Sequence, residues 1–183
     1  MPMELTAKTA AGTELVATAE RLAEDFAGRV AAHDRDGSYP FASIDALHRA
    51  GYFAAPVPAE LGGLGVGSVH DAIVASGRLA RGDGSVAIGV NMHLVVVLNL
   101  ARRWHMARAV GNDRRERSFA RSLRTIASGG VVMAAAMSEA GQDLTRPVTQ
   151  AIRTETGWRA WRATPAVSEP SAARSAQSPR ATS

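Results

Sequence analysis

Residues 47–67 read LHRAGYFAAPVPAELGGLGVG, and the order of signals in this stretch decides the predicted fold. A short helix is expected to end at Gly51, because glycine suits the left-handed turn that closes a helix. Pro56 and Pro58 forbid helix and favour an extended crossing strand. The turn that follows is rich in glycine, which permits backbone angles and close approaches that a side chain would block: Gly62, Gly63, Gly65 and Gly67.

Two helices are predicted before this stretch. Apolar residues recur at three- and four-residue intervals after Thr13, which indicates an amphipathic helix that Thr13 caps and that ends near His33. A turn from Asp34 to Pro40 separates this helix from a short one, which Ser43 is expected to cap.

Three helices are predicted after the stretch. Ser68 can cap a helix from Val69 to about Arg81. The next helix, from Val86 to about Met106, is apolar nearly all round, so we expect it at the centre of a bundle. Asn112 or Asp113 can cap a last helix, which carries several arginines on its outer faces. A solvated surface explains these arginines, and contact with the phosphates of a partner or cofactor is the alternative.

The character of the sequence changes after Gly130. Val131–Met137 is predicted as a buried strand, although its alanines also tolerate helix. Thr149–Arg153 and a segment around Trp158 read as two strands joined by a Glu155–Gly157 turn. The chain is therefore predicted as mainly α, with a helical bundle followed by the first strands of a β domain. We expect a flexible start over residues 1–12, a helical domain over 13–128, an incomplete β domain over 129–158 and a disordered basic tail over 159–183.

The order of these elements resembles the amino-terminal region of the acyl-CoA dehydrogenase family. There a helix of the form L-x-x-x-G precedes an apolar V-P segment, an E-x-G-G-x-G turn and a long helix pair. The same order runs here from about Ala19 to Trp158. The resemblance implies the amino-terminal helical bundle of that family and the start of its middle β domain. It also implies an FAD-dependent oxidoreductase that dehydrogenates an acyl-CoA thioester between its α and β carbons.

Residues 137–143, MSEAGQD, resemble the T-E-P-x-x-G-S-D turn that meets the flavin in this family. By that match Met137 offers its main chain and Ser138 its hydroxyl to the flavin. Gly141 matches the family glycine, and Gln142 stands where serine is usual, which completes the expected cofactor-binding set. A flavin needs hydrogen-bond donors at the polar rim of its ring and a glycine where the backbone passes close to it. The turn is two residues shorter here than in the family.

Asn91 and His93 lie on the helix predicted at the centre, in the region that lines the acyl pocket of family members. The resemblance therefore makes them candidates for binding an acyl-CoA substrate, and a hydrogen-bonded core histidine is the alternative for His93. No catalytic base is identified, because the family takes its glutamate base from a carboxy-terminal bundle that has no counterpart in this sequence. The resemblance further implies electron-transfer flavoprotein or a similar acceptor as partner, and a homo-oligomer when the protein is complete.

Composition argues against several other classes of protein. The chain has 183 residues, 46% of them apolar, and no cysteine, which suits a globular core and excludes disulfides and thiolate chemistry. Its five histidines lack the spacing of metal ligands, so we expect no metal. The net charge of +4 arises largely after Trp158, so we expect no nucleic-acid partner.

The amino terminus and the most apolar run both bear on localisation. Residues 1–13 lack a charged start followed by an apolar run, so no signal peptide is expected. Residues 86–101 are too few to span a membrane and include Asn91, His93 and Asn99. We therefore expect a cytoplasmic protein without membrane contact.

From Arg159 onward the sequence is rich in alanine, serine, arginine and proline without periodicity, so we expect no packed core there. The resemblance stops at Trp158, and the excess of arginine over the single lysine, Lys8, fits a GC-rich coding sequence. We expect a truncated or frameshifted chain that is inactive alone, with a natural basic tail that binds an acidic partner as the alternative. Two other functions stay open: a flavin-dependent monooxygenase of the same fold and a non-catalytic helical partner subunit.

Overall fold

The computed structural model describes residues 5–129, 131–134 and 149–161, which fall into two units divided at residue 135. The first unit holds the helices and the second holds a β-hairpin. The helices are α1 (Ala10–Ala27), α2 (Val30–Asp36), α3 (Phe41–Arg49), α4 (Val69–Leu79), α5 (Gly84–Ala109) and α6 (Asp113–Ala127), and the strands are β1 (Gln150–Thr154) and β2 (Gly157–Trp161).

The first predicted helix is split in two. Thr9, not Thr13, caps α1, because the Thr9 hydroxyl accepts a hydrogen bond from the Gly12 N–H at 3.0 Å. The helix ends at Ala27 instead of near His33, and α2 continues the chain after a turn at Gly28. The predicted cap and the predicted end of this helix are therefore wrong.

Helix α3 confirms the short helix before Gly51 but not its cap. Pro40 precedes the helix, and Ser43 lies inside it, fully buried, where its hydroxyl accepts a hydrogen bond from Arg29 Nε at 3.2 Å. Gly51 has φ 69°, the left-handed conformation that the sequence predicts at the helix end. Ser43 thus stabilises the contact between α3 and the α1–α2 turn.

The segment from Tyr52 to Val66 forms a compact loop, and the predicted extended strand is wrong. Two single turns of 3-10 helix flank the prolines, and the loop folds back so that the Gly65 N–H donates to the Val57 carbonyl at 2.8 Å. A Cβ on Gly63 would lie 2.2 Å from that same carbonyl oxygen, so glycine is required by the close approach of the two backbones. Val57 is completely buried beneath the loop.

Helices α1 and α4 run parallel and in close contact. Gly12 near the start of α1 lies against Asp71 near the start of α4, and Ala23 lies against Gly82 just beyond the end of α4. Ser68 caps α4 as predicted, its hydroxyl accepting from the Asp71 N–H at 3.2 Å. The small residues at these contacts allow the two backbones to approach each other.

Helix α5 connects two hydrophobic clusters. Its first half packs with α1, α3 and α4, and its second half packs with α6 and the compact loop. Leu94 and Val97 have no exposed surface, and in α6 Leu123 is equally buried. The cap at Asn112 is confirmed, because its side chain accepts from the Arg115 N–H at 3.1 Å.

One face of α5 remains open, although the sequence, apolar nearly all round, predicts this helix at the centre of the bundle. The exposed fractions of Ile88, Met92 and Val95 are 79%, 38% and 51%. Within the described residues α5 is the one helix whose length and apolar composition would suffice to cross a membrane. Its opposite face forms the core described above.

The described residues of the second unit form an antiparallel hairpin. Gln150 pairs with Trp161 and Thr154 with Gly157, so the predicted turn joins the two strands as expected. Within the first unit, residues 131–134 adopt neither helix nor strand, and Val131 and Val132 are exposed. The prediction of a buried strand or helix is therefore wrong for these four residues.

The predicted overall architecture is confirmed at the level of the fold class. The chain is mainly α, with a helical bundle followed by strands. The domain boundaries that the sequence suggested, at residues 12, 128 and 158, stay a prediction.

Candidate functional site

The predicted cofactor-binding residues, Met137, Ser138, Gly141 and Gln142, lie outside the described residues. Their role in binding flavin stays a prediction.

His93 joins three separate parts of the helical unit. It lies on α5, is 1% exposed, and its Nδ1 accepts a hydrogen bond from the Met133 N–H at 2.8 Å. Its Nε2 lies 2.9 Å from the Phe53 carbonyl oxygen. Because a main-chain N–H can only donate and a carbonyl can only accept, the ring is the neutral tautomer with its proton on Nε2.

Aromatic rings enclose this histidine. The Phe53 ring packs edge-on against the His93 ring with 5.0 Å between centroids, and His48 of α3 packs on Phe53 at 4.4 Å. Burial lowers the pKa of His93; the hydrogen bond to the Phe53 carbonyl opposes this effect, and the charge of His48 adds to it. The environment thus favours the neutral imidazole that both hydrogen bonds require.

Asn91 lies two residues before His93 and is exposed on α5. The structure does not bring the two side chains into one site, because His93 is buried and both of its ring nitrogens are occupied by main-chain groups. Substrate binding by Asn91 and His93 stays a prediction that this geometry does not test.

A cleft of about 580 Å³ lies between the compact loop and the second half of α5. Its walls are mostly apolar, with three polar side chains at intervals along α5. These are Asn99, Arg102 and His105, all exposed. Arg102 forms no ion pair with any residue that the structure describes. An apolar trough with one cation suits an elongated anionic ligand.

Sequence reasoning missed this cleft. The spacing of Val95, Asn99, Arg102 and Met106 places them along one stripe of α5, and this periodicity could have identified a shared surface. It could not have identified the opposite wall, because Pro56 and Gly65 reach the cleft only through the fold of the loop.

No group of three potential metal ligands comes together within residues 5–129, 131–134 and 149–161. The cleft offers hydrogen-bond donors, a cation and apolar walls, which suit the binding and orientation of a ligand.

Comparison with known proteins identifies the family. The family described as "Acyl-CoA dehydrogenase, N-terminal domain" matches residues 9–105, more than half of the chain. The chain belongs to the acyl-CoA dehydrogenase family. The family that the sequence suggested is thereby confirmed.

Two curated relatives illustrate the range of the family. The amino sugar nitrososynthase RubN8 of Streptomyces rubradiris is 33% identical over 77% of this chain and 32% of its own length. YdbM of Bacillus subtilis (strain 168), provisionally named an acyl-CoA dehydrogenase, is 33% identical over 75% of this chain and 35% of its own length.

A solved structure is similar to the same region. KijD3, in complex with FMN and dTDP-3-amino-2,3,6-trideoxy-4-keto-3-methyl-D-glucose, is 36% identical, with a TM-score of 0.62. The match covers 72% of this chain and 32% of KijD3. The chain thus spans about a third of the length of the relatives it matches.

These relatives agree with the sequence prediction at the level of the family and of a flavin, since KijD3 is bound to FMN. They do not establish the predicted cofactor, substrate or partner. Two of the three are named for, or bound to, amino sugars, so a role in fatty acid metabolism is not supported. FAD as the cofactor, acyl-CoA as the substrate and electron-transfer flavoprotein as the partner stay predictions.

Proposed function

We propose that this chain is the amino-terminal helical part of a flavin-dependent enzyme that oxidises the amino group of a nucleotide-linked amino sugar. The observation that carries the proposal is the 36% identity to KijD3, whose complex holds both FMN and a dTDP-linked amino sugar. Identity to the nitrososynthase RubN8 over 141 residues supports the same reaction class. The proposal favours the monooxygenase alternative over acyl-CoA dehydrogenation.

The chemistry is an oxidation at nitrogen. Conversion of an amine to a nitroso group adds one oxygen atom to the nitrogen and removes two hydrogens. Molecular oxygen is the oxidant: one of its atoms is added to the nitrogen, and the other leaves as water together with the two hydrogens that the nitrogen loses. The four electrons that nitrogen gives up are therefore the four that oxygen accepts, and a bound flavin would mediate their transfer. The helical unit contributes binding and orientation of the substrate to this reaction.

The cleft beside α5 is the part of the described structure that fits such a substrate. Arg102 offers a guanidinium, which is suited to bidentate contact with phosphate oxygens. Asn99 and His105 lie close to it along the helix and add polar groups, while Val95 and Met106 provide apolar contact. We assign the diphosphate of the nucleotide sugar to the end of the cleft at Arg102.

The effect of separate ligands on thermal stability tests the proposal on this chain. The thermal midpoint of unfolding is measured with dTDP, a dTDP-linked amino sugar, FMN, FAD and an acyl-CoA, since a ligand that binds the folded state raises this midpoint. We expect the dTDP compounds and a flavin to raise it and the acyl-CoA to leave it unchanged. A rise with acyl-CoA and none with dTDP would overturn the proposal.

A variant links the result to the cleft. Arg102→Gln removes the cation, and we expect dTDP to bind about tenfold more weakly, in line with the loss of a charge-assisted contact. Arg103→Gln is the matched control, because Arg103 is also exposed but does not line this cleft. Equal effects of the two substitutions would contradict the assignment of the diphosphate to Arg102.

Acyl-CoA dehydrogenation is the second candidate, and the similarity to YdbM favours it. The apolar walls of the same cleft would then hold an acyl chain, and Arg102 would contact a phosphate of coenzyme A. Turnover of an acyl-CoA with an artificial electron acceptor, accompanied by formation of the enoyl product, would support this candidate over oxidation of an amine.

A further inference from the structure

We propose that a second groove, between the end of α5 and the start of α6, binds a phosphate monoester that carries an apolar body. The groove has a volume of about 490 Å³, which is within the range of small-molecule sites in proteins. It adjoins the cleft beside the compact loop, because Met106 lines both surfaces, but its other lining residues are different. The inference does not rest on the proposed function.

The turn between α5 and α6 fixes the shape of this groove. Gly111 has φ 66°, a left-handed conformation that allows the chain to reverse direction after α5. The Asn112 N–H donates to the Ala107 carbonyl at 2.8 Å, and the Asn112 side chain caps α6 by accepting from the Arg115 N–H. Because these hydrogen bonds connect the two helix ends, both walls of the groove are in place before a ligand binds.

Each helix contributes one guanidinium to the groove. Arg103 of α5 and Arg115 of α6 are exposed, and neither forms an ion pair with any residue that the structure describes. No acidic side chain of the described residues lines the groove. A guanidinium can contact two oxygens of one phosphate group, and two guanidiniums balance the nearly two negative charges of a phosphate monoester at neutral pH. For Arg115 this favours phosphate contact over a merely solvated surface.

Apolar side chains form most of the remaining wall. Met106 and Val110 are 59% and 77% exposed, and they follow Arg103 at intervals of three and seven residues, along one side of α5. Phe119, four residues after Arg115 on α6, is half-buried. Free inorganic phosphate would leave these apolar groups in water, whereas a ligand with an apolar body covers them. The groove therefore suits a phosphate group that is attached to apolar carbon.

Isothermal titration calorimetry with naphthyl phosphate tests the groove on this chain. The probe combines a phosphate monoester with an apolar ring system, whereas naphthol lacks the anion and inorganic phosphate lacks the apolar body. We expect naphthyl phosphate to bind about tenfold more tightly than either of the other two, because it alone contacts both the cations and the apolar wall. No binding of naphthyl phosphate, or equal binding of either partial probe, would overturn the proposal.

Single substitutions assign the binding to this groove. Arg103→Gln and Arg115→Gln each remove one guanidinium, and we expect each to weaken the binding of naphthyl phosphate about tenfold. Arg114→Gln is the matched control, because Arg114 is exposed on the same helix but does not line the groove. It changes the net charge equally, so affinity should change by less than about twofold in physiological salt. Circular dichroism verifies the helical content of each variant, and equal weakening by all three would overturn the proposal.

Arg102 distinguishes this groove from the cleft that is assigned to the nucleotide sugar. Arg102→Gln should weaken the binding of dTDP and not that of naphthyl phosphate, whereas Arg103→Gln should show the opposite pattern. If Arg102→Gln weakens both ligands equally, the anion binds in the cleft, and the proposal for the groove is overturned. If dTDP does not bind while naphthyl phosphate still depends on Arg103 and Arg115, the proposed function fails and the groove is supported.

Discussion

At the scale of single residues, Asp71 fixes where the first helix begins. It is completely buried on α4 and accepts hydrogen bonds from the Lys8 N–H at 2.8 Å and the Thr9 N–H at 3.1 Å. The Thr9 hydroxyl donates to it as well, at 2.6 Å. One carboxylate thereby orients the residue that caps α1, and a Cβ on Gly12 would lie only 2.1 Å from its Oδ2.

We expect Asp71→Asn to lower the free energy of unfolding by about 2–3 kcal/mol, because the buried charged acceptor is lost and the new NH₂ group adds a donor where three donors already converge. Urea unfolding measures this loss. Asp45→Asn is the control, since Asp45 is exposed on α3, and it should change stability by less than about 0.5 kcal/mol. Similar losses for both would contradict the role assigned to Asp71.

The same carboxylate predicts a dependence on pH. Burial alone would raise the pKa of Asp71, but the Thr9 hydroxyl, the two main-chain N–H groups and the charge of His70 together hold it below the ordinary 3.8. A lowered pKa stabilises the fold above the unfolded value, and this contribution is lost as the pH falls through 3.8 toward the folded value. The stability difference between wild type and Asp71→Asn should therefore shrink below about pH 4.

At the scale of elements, the packing of α1 on α4 depends on where glycine stands. A Cβ on Gly82, just after α4, would lie 2.1 Å from the carbonyl oxygen of Ala23 on α1. Gly77, in the last turn of α4, is exposed and has open space at the position of a Cβ. Gly82 is required by the close contact between α1 and α4, whereas Gly77 only lowers the stability of α4.

Two alanine substitutions should therefore act in opposite directions. Gly82→Ala forces the backbones of α1 and α4 apart, and we expect a loss of about 1–3 kcal/mol in the free energy of unfolding. Gly77→Ala should raise it by up to about 1 kcal/mol, because alanine is the better helix former. Thermal unfolding of both variants measures the signs, and two changes of the same sign would argue against the close approach at Gly82.

Helix caps show how far local sequence predicts an element. Ser68 and Asn112 cap α4 and α6 as expected, because an N-cap bonds to an N–H only three residues further on. Thr9 and Ser43 were not recognised in their actual roles. Their hydroxyls are oriented by Asp71 and Arg29, which lie 62 and 14 residues away, and a local pattern carries no information on such partners.

At the scale of the whole molecule, α5 has two unlike faces. Leu94 is fully buried in the cluster that α5 forms with α1, α3 and α4, whereas its neighbour Val95 is 51% exposed beside the cleft. Ile88 and Met92 extend the exposed apolar face toward the start of the helix. The relatives are more than twice as long as this chain and contain further polypeptide, and an exposed apolar face of this kind is typical of a surface that packs against another segment.

Substitution of Leu94 or Val95 by glutamine distinguishes the buried face of α5 from the exposed one. We expect Leu94→Gln to cost about 3 kcal/mol or more, because it buries an unpaired amide and removes core contacts. Val95→Gln should stay within about 0.5 kcal/mol, since the side chain already meets solvent. Urea unfolding of the pair measures both values, and a large loss for Val95→Gln would mean that this face is covered in solution.

The sequence by itself determined the family, the mainly helical fold and most helix locations, because periodic apolar positions, caps and the glycine-rich turn act over a few residues. The tertiary structure decided the rest. It folded Tyr52–Val66 back into a compact loop and placed His93 between Phe53 and Met133, residues far apart along the chain. Such contacts depend on which surfaces meet in the folded chain, and no local spacing of residues encodes them.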